Sequence, residues 1–241
     1  MWRIEMKKSK LDLREAIVDT AIAIAERSNW EAVRLFDVAA ELDITLDEIR
    51  VHFREKEELV EAWFDRADSQ MLRAAETVEF MSLPPRERLQ LLTMAWLDAL
   101  TAHRKVTRQM IGAKLEPGHL HIQIPAIMRV SRTVQWLREA AQRNATSVRR
   151  ALEETALTTI YLATFAYWMQ DDSENSQNTR DFLAHKLKYA ESLDHLVYST
   201  PHQDTSAEAA TETQSIHEIP ESFESSPLTE PVVHERHAKS G

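Results

Sequence analysis

Two short amphipathic segments, near residues 35–42 and 45–52, stand only a few residues apart and follow a longer one near 11–27. That spacing leaves room between the short segments for a tight turn and little else, so the three are expected to pack as a helix-turn-helix unit. The long segment puts Leu13, Ile17, Ala21 and Ile24 on one face. Ser28-Asn29 is expected to end it, because asparagine tolerates a left-handed cap. A further helix opening near Lys56 carries Leu59, Trp63, Ala67 and Met71 at helical spacing.

Beyond Pro84-Pro85 the pattern stays helical, with segments near 86–103, 104–115, 124–143, 145–170 and 178–198, and Pro117-Gly118 breaks the middle of the set. Only 3 of 241 residues are glycine, too few for a turn-rich β fold, while the strong helix formers Leu, Ala, Glu and Arg abound. The expectation is an all-α chain of about nine helices.

The chain has no cysteine, which excludes disulfides, thiol catalysis and Cys-ligated zinc. Basic residues near the N-terminus have no apolar run behind them, so no signal peptide is expected. The longest apolar run, ALTTIYLATFAYWM at 156–169, is bracketed by acids and falls short of the ~20 residues that span a bilayer. No stable membrane insertion and a cytoplasmic location are expected. The net charge of −10 is uneven: residues 200–241 hold eight acids against two bases, leaving the rest of the chain at −4. This last stretch is rich in Ser, Thr, Glu and Pro and is expected to be a disordered acidic tail, with a docking segment at IHEIPESF as the alternative.

The stretch AIVDTAIAIAERSNWEAVRLFDVAAELDITLDEIRVHFREKEELVEAWF resembles the N-terminal domain of the TetR family of transcriptional regulators. Ala39, Ile44, Thr45, Ile49 and the junction HFREKEEL carry the likeness. It implies a TetR-like fold: a basic N-terminal arm (1–10), a three-helix DNA-binding domain (11–65), a helical ligand-binding and dimerisation domain (66–199) and the tail (200–241). It also implies that Thr45, Arg50, His52 and Lys56 lie near DNA phosphates, with Leu46, Asp47 and Val51, and Arg50 as an alternative placement, nearest base edges. Arg34, just ahead of the second helix, joins this set. Three positions depart from the family: Asp43 replaces a turn glycine, Glu48 a small hydroxyl residue, and Arg50 a tyrosine. Thr45 and Glu48 have capping-box spacing, and Asp47 complements the helix dipole. Both acids oppose phosphate binding, so either Asp47 accepts from a cytosine amino group or the face no longer reads DNA.

A second likeness bears on that choice. YWMQDDSENSQNTRDFLAHKLKYAE, with Trp168, Asp171, Asp172, Ser173, Thr179 and Leu183, is similar to the coenzyme Q accessory family, as is LVEAWFDRADSQML at 59–72. That family uses a TetR-type fold to bind lipids in ubiquinone biosynthesis, which gives the alternative of a lipid-binding helper that does not touch DNA. The acidic tail and the preserved junction depart from it, so the regulator reading leads.

The TetR resemblance implies double-stranded operator DNA as partner and a homodimer through the helices near 145–170 and 178–198. The near all-round apolarity of the first of these supports it. It further implies a small apolar or lipid-like ligand, for which Trp96, Met110, Met128, Trp136 and Tyr161 are candidates beside their plainer role as core. RVSRTVQWLREAA, with the polar residues Arg129, Ser131, Arg132 and Gln135, is expected to hold its arginines in exposed ion pairs, with an arginine on a ligand carboxylate as the alternative. Adjacent acids at Glu153-Glu154 and Asp171-Asp172 are expected to be solvated at helix ends. His119, His121 and Glu116 read as loop residues, not metal ligands. No nucleophile elbow or phosphate loop appears. Neither catalysis nor a cofactor is expected.

Overall fold

The computed structural model describes residues 2–114, 120–143 and 147–198, with side chains over 12–112, 128–143 and 149–193. The described residues hold nine α-helices and no strand: α1 (Trp2–Arg27), α2 (Leu35–Leu42), α3 (Leu46–His52), α4 (Lys56–Ala74), α5 (Pro85–Leu100), α6 (Arg104–Lys114), α7 (Leu120–Ala140), α8 (Ser147–Trp168) and α9 (Gln177–Tyr198). Short 3₁₀ turns stand at Phe80–Ser82, Thr101–His103 and Glu174–Ser176. Residues 200–241, with IHEIPESF, lie outside the described residues, as do Glu116, His119 and the side chain of His121.

Helix α1 begins at Trp2, so residues 2–10, expected as a separate arm, continue it. It buries Ile17, Val18 and Ala21 with Val38 and Ala39 of α2 and Ile49 of α3 in one apolar cluster, where Phe53 and Leu59 also sit. The end of α1 corrects an expectation, because Asn29 is not left-handed. Ser28 instead closes the last turn, its N–H and hydroxyl both donating to the Ile24 carbonyl, and Asn29 Oδ1 accepts the Ala32 N–H at 2.9 Å. An Asx-type bond thus satisfies the backbone without a left-handed residue. The left-handed position falls where the missing turn glycine suggested, at Asp43 (φ 53°, ψ 43°). The Ile44 N–H returns to the Ala39 carbonyl at 3.0 Å, the long bond of a Schellman closure.

Helix α4 is continuous from the three-helix unit into the body, burying Leu59 and Val60 in its first turns and Phe64, Ala67 and Met71 further along. It packs on α5 and α7, and α5 on α8 and α9. Pro84 caps α5 and Pro85 occupies its first turn, where a missing N–H costs nothing. No described helix is long and apolar enough to cross a membrane.

Two polar groups expected at the surface are buried. Arg129 is 6% exposed and Asp171 4%. Arg129 has three carboxylates of α4 within reach, and Asp171 has backbone and hydroxyl donors around it, so each charge is met inside the protein.

Candidate functional site

Helix α3 has seven residues, too short to persist alone, and its stability comes from its two ends and one buried side chain. Thr45 caps it: its hydroxyl accepts the Glu48 N–H at 3.2 Å while Glu48 Oε2 accepts the Thr45 N–H at 2.8 Å. The Thr45 N–H first, and then the Thr45 hydroxyl, which donates to the same Oε2 at 2.9 Å, hold the Glu48 carboxyl below its ordinary range. Ile49 is fully buried, and the Phe53 N–H closes the last turn on the Ile49 carbonyl at 2.8 Å. Phe53 is itself buried, with the Arg14 guanidinium 4.9 Å above its ring.

What this anchoring leaves outside is a face made of Leu46, Asp47, Arg50 and Val51, all exposed. Their spacing repeats every turn, so they stand on one side of α3, opposite Ile49. Arg50 donates from Nε and Nη2 to Asp47 Oδ1 at 3.0 and 2.8 Å. The acid is thus neutralised by its own neighbour, and Glu48 is occupied by the cap.

The other members of the expected set are placed differently. Lys56 Nζ donates to the Trp30 and Glu31 carbonyls at 2.5 and 3.1 Å and lies 5.0 Å over the Trp30 ring, and its burial lowers the ammonium pKa. It clamps the loop between α1 and α2. From the other side, the Trp30 N–H donates to Gln109 of α6 at 2.8 Å. Arg34 caps α2 without a side-chain cap bond and forms a two-pronged pair with Asp37 at 2.9 and 3.2 Å, which raises its pKa. His52 is half-buried at the end of α3.

In the body, the side chains organise around Asp68 of α4. Its Oδ1 accepts Trp96 Nε1 at 2.8 Å and the Thr133 hydroxyl at 3.0 Å, and its Oδ2 accepts Arg129 Nη2 at 2.8 Å. Burial pushes the Asp68 carboxyl up against the opposing pull of Arg129, Trp96 and Thr133. Arg129 also reaches Asp65 at 2.5 Å and Glu61 at 3.4 Å. The sequence did carry a signal for this cluster: Glu61, Asp65 and Asp68 fall on one stripe of α4, and Arg129 and Thr133 one turn apart on α7.

Of the five ligand candidates, Trp96 and Tyr161 meet edge to face with ring centres 5.3 Å apart, in a group with Phe64 and Phe165. Burial raises the Tyr161 hydroxyl pKa well above its usual value. Met110 is buried on α6, away from this group in sequence, whereas Met128 and Trp136 are 58% and 49% exposed. An apolar groove of about 670 Å³ opens between α5, α8 and α9, lined by Leu89, Leu152, Leu157, Ile160, Leu187 and Leu193. None of the five candidates lines it.

Asp171 organises the turn between α8 and α9. It accepts the N–H groups of Ser173 and Thr179, both at 2.9 Å, and the Thr179 hydroxyl at 2.5 Å. Burial alone would raise this carboxyl, but the bonds from Ser173 and Thr179 outweigh it and bring it to about 2. Arg104, at the start of α6, donates to the Asp171 carbonyl and the Ser176 hydroxyl and lies 4.6 Å from the Trp168 ring centre. No cluster of metal-ligand side chains occurs among the described residues.

Comparison with known proteins finds the same architecture elsewhere. A TetR transcriptional regulator from Nitrosomonas europaea ATCC 19718 is 60% identical, with a TM-score of 0.68, over 75% of this chain and 98% of that one. A bacterial regulatory protein of the TetR family from Rhodococcus RHA1 is 16% identical, with a TM-score of 0.41, over 73% of this chain and 95% of that one. Residues 149–194, which cover most of α8 and α9, match the COQ9 family. No curated protein is significantly similar in sequence.

Proposed function

The chain belongs to the TetR family of transcriptional regulators, and on that premise we propose that it binds operator DNA as a homodimer and is released by a small apolar or lipid-like ligand. The observation that carries this reading is the face of α3: Ile49 and Phe53 fix the helix from behind, while Leu46, Asp47, Arg50 and Val51 are left exposed among the described residues. The acids at its start, which argued for a retired reader, are accounted for by the cap and by Arg50. Thr45 and His52 flank that face and serve as phosphate contacts, joined by Arg34 and by what Lys56 can spare from its clamp.

Dimerisation through α8 and α9 is supported by the exposed side of α8, where Leu152, Thr155, Ala156, Thr159, Leu162 and Ala166 carry no charge. Two-fold symmetry would put the paired α3 helices about one DNA turn, roughly 34 Å, apart. Trp96 and Tyr161 are the ligand-facing candidates that border the Asp68 cluster. A ligand inserted there would disturb α4, the helix that carries Asp68 in the body and Lys56 at the reading end. That shared helix gives the ligand a physical route to the DNA affinity.

The COQ9 match is confined to α8 and α9 and is compatible with a lipid-binding helper, but it adds nothing in its favour, because both readings use the same two helices. The test is capture of host-genome fragments by the purified full chain, followed by sequencing. Enrichment of a few fragments that share an inverted repeat is expected. Capture of none, by a folded dimer at low salt, would leave the lipid-binding alternative, to be pursued by mass spectrometry of co-purified lipid.

A further inference from the structure

On the proposed reading face, two side chains already hold each other. Arg50 turns its Nε and Nη2 toward one oxygen of Asp47, and the two side chains remain 70% and 74% exposed. An exposed pair of this kind adds little to stability. Its geometric effect is larger, because it fixes a guanidinium that would otherwise sample many rotamers and so reduces the entropy lost when that group binds.

The pairing also decides what is left over. With the Nε edge of Arg50 facing the carboxylate, the Nη1–Nη2 edge remains as a fork of two donors. Asp47 Oδ2 has no partner among the described residues, so the pair keeps one free acceptor in addition to that fork. Laid along a base-pair edge, the pair can offer the order acceptor, donor, donor. The major-groove edge of a C·G base pair presents the complementary order: the cytosine N4 donor, then guanine O6 and N7 as acceptors. An A·T pair places a donor between two acceptors and cannot satisfy the fork.

Resting on the DNA-binding reading above, we propose that Asp47 and Arg50 act as one unit that reads a G·C base pair in each operator half-site. Arg50 donates to guanine O6 and N7, and Asp47 orients Arg50 and accepts from the paired cytosine. An acid that costs non-specific phosphate affinity thereby becomes part of the specificity. Leu46 and Val51 flank the pair with exposed apolar surface of the kind that meets thymine methyls.

The experiment is selection by the full chain from a library of randomised duplexes, repeated with variants. All the substitutions are at exposed positions, and none touches the cap or Ile49. The wild-type protein is expected to enrich a two-fold symmetric site with a fixed G·C pair in each half. Arg50→Lys keeps the charge and loses the fork, so it should relax that one position by roughly tenfold while leaving the salt dependence of binding in place. Asp47→Ala should relax the same position, and Asp47→Asn, which keeps an acceptor oxygen, should recover part of the preference. If Arg50→Lys leaves the G·C preference intact, or weakens every position alike, the inference fails while DNA binding stands. If the wild-type protein enriches nothing at low salt, the DNA-binding reading falls and the inference falls with it.

Discussion

Two carbonyls of the loop between α1 and α2 already hold the Lys56 ammonium before any DNA arrives. Lys56→Ala is therefore expected to act twice. It should lower stability by about 1–3 kcal/mol in urea unfolding, since both carbonyls lose a charged donor, and it should flatten the salt slope of DNA binding by about one unit. A flattened slope with unchanged stability would mean the clamp does not form in solution. Arg129 presents the opposite case, a cation held entirely inside. Arg129→Met should cost about 3–5 kcal/mol, because it strands the buried Asp68 carboxylate without its partner. Adding Asp68→Asn should return part of that loss, and a double variant no more stable than the single one would contradict the burial of the pair. The sequence placed Arg129 at the surface because arginine is seldom buried. Its three acidic partners lie more than 60 residues away on α4, and spacing within each helix shows which residues share a stripe but not which other stripe that one faces.

At the scale of the element, local chemistry was legible and its long-range complement was not. The α3 cap could be read because Thr45 and Glu48 sit three residues apart, and the bonds between them form within a single turn. The Asp43 turn could be read because the family resemblance puts a turn glycine at that position, and aspartate tolerates the same left-handed conformation. Asn29 misled, since the same side chain that tolerates a left-handed cap can accept a nearby N–H instead. Asp171 misled more, because its partners at Ser173 and Thr179 bring it inside at a turn where solvent was expected. Its pH behaviour follows from the sign of the shift. A carboxyl near 3.9 when unfolded and about 2 when folded contributes stability that is fully present above about pH 4. That contribution is lost as the pH falls toward 2. Asp171→Asn should be less stable at neutral pH and should show a shallower acid limb than the wild type in pH-dependent denaturant unfolding. An equally steep acid limb would remove Asp171 from the account.

For the molecule as a whole, one continuous helix and one uncharged face carry the functional argument. Helix α4 joins the helix-turn-helix to the Asp68 cluster without a break, and α8 has the exposed, uncharged side on which the proposed dimer rests. The helical order of the chain was readable because hydrophobic period survives in a single sequence, whereas the shape of the ligand space was not. Side chains such as Met128 and Trp136 have the composition of a pocket lining and yet are exposed. All of this rests on the proposal that the fold reads DNA through α3. It is tested most directly by fluorescence anisotropy of the full chain on a duplex from its captured genomic fragments, repeated across a salt series. Tight binding by a dimer is expected, with affinity that falls steeply and linearly in log–log form as salt rises. A folded dimer that does not bind even at low salt would contradict it.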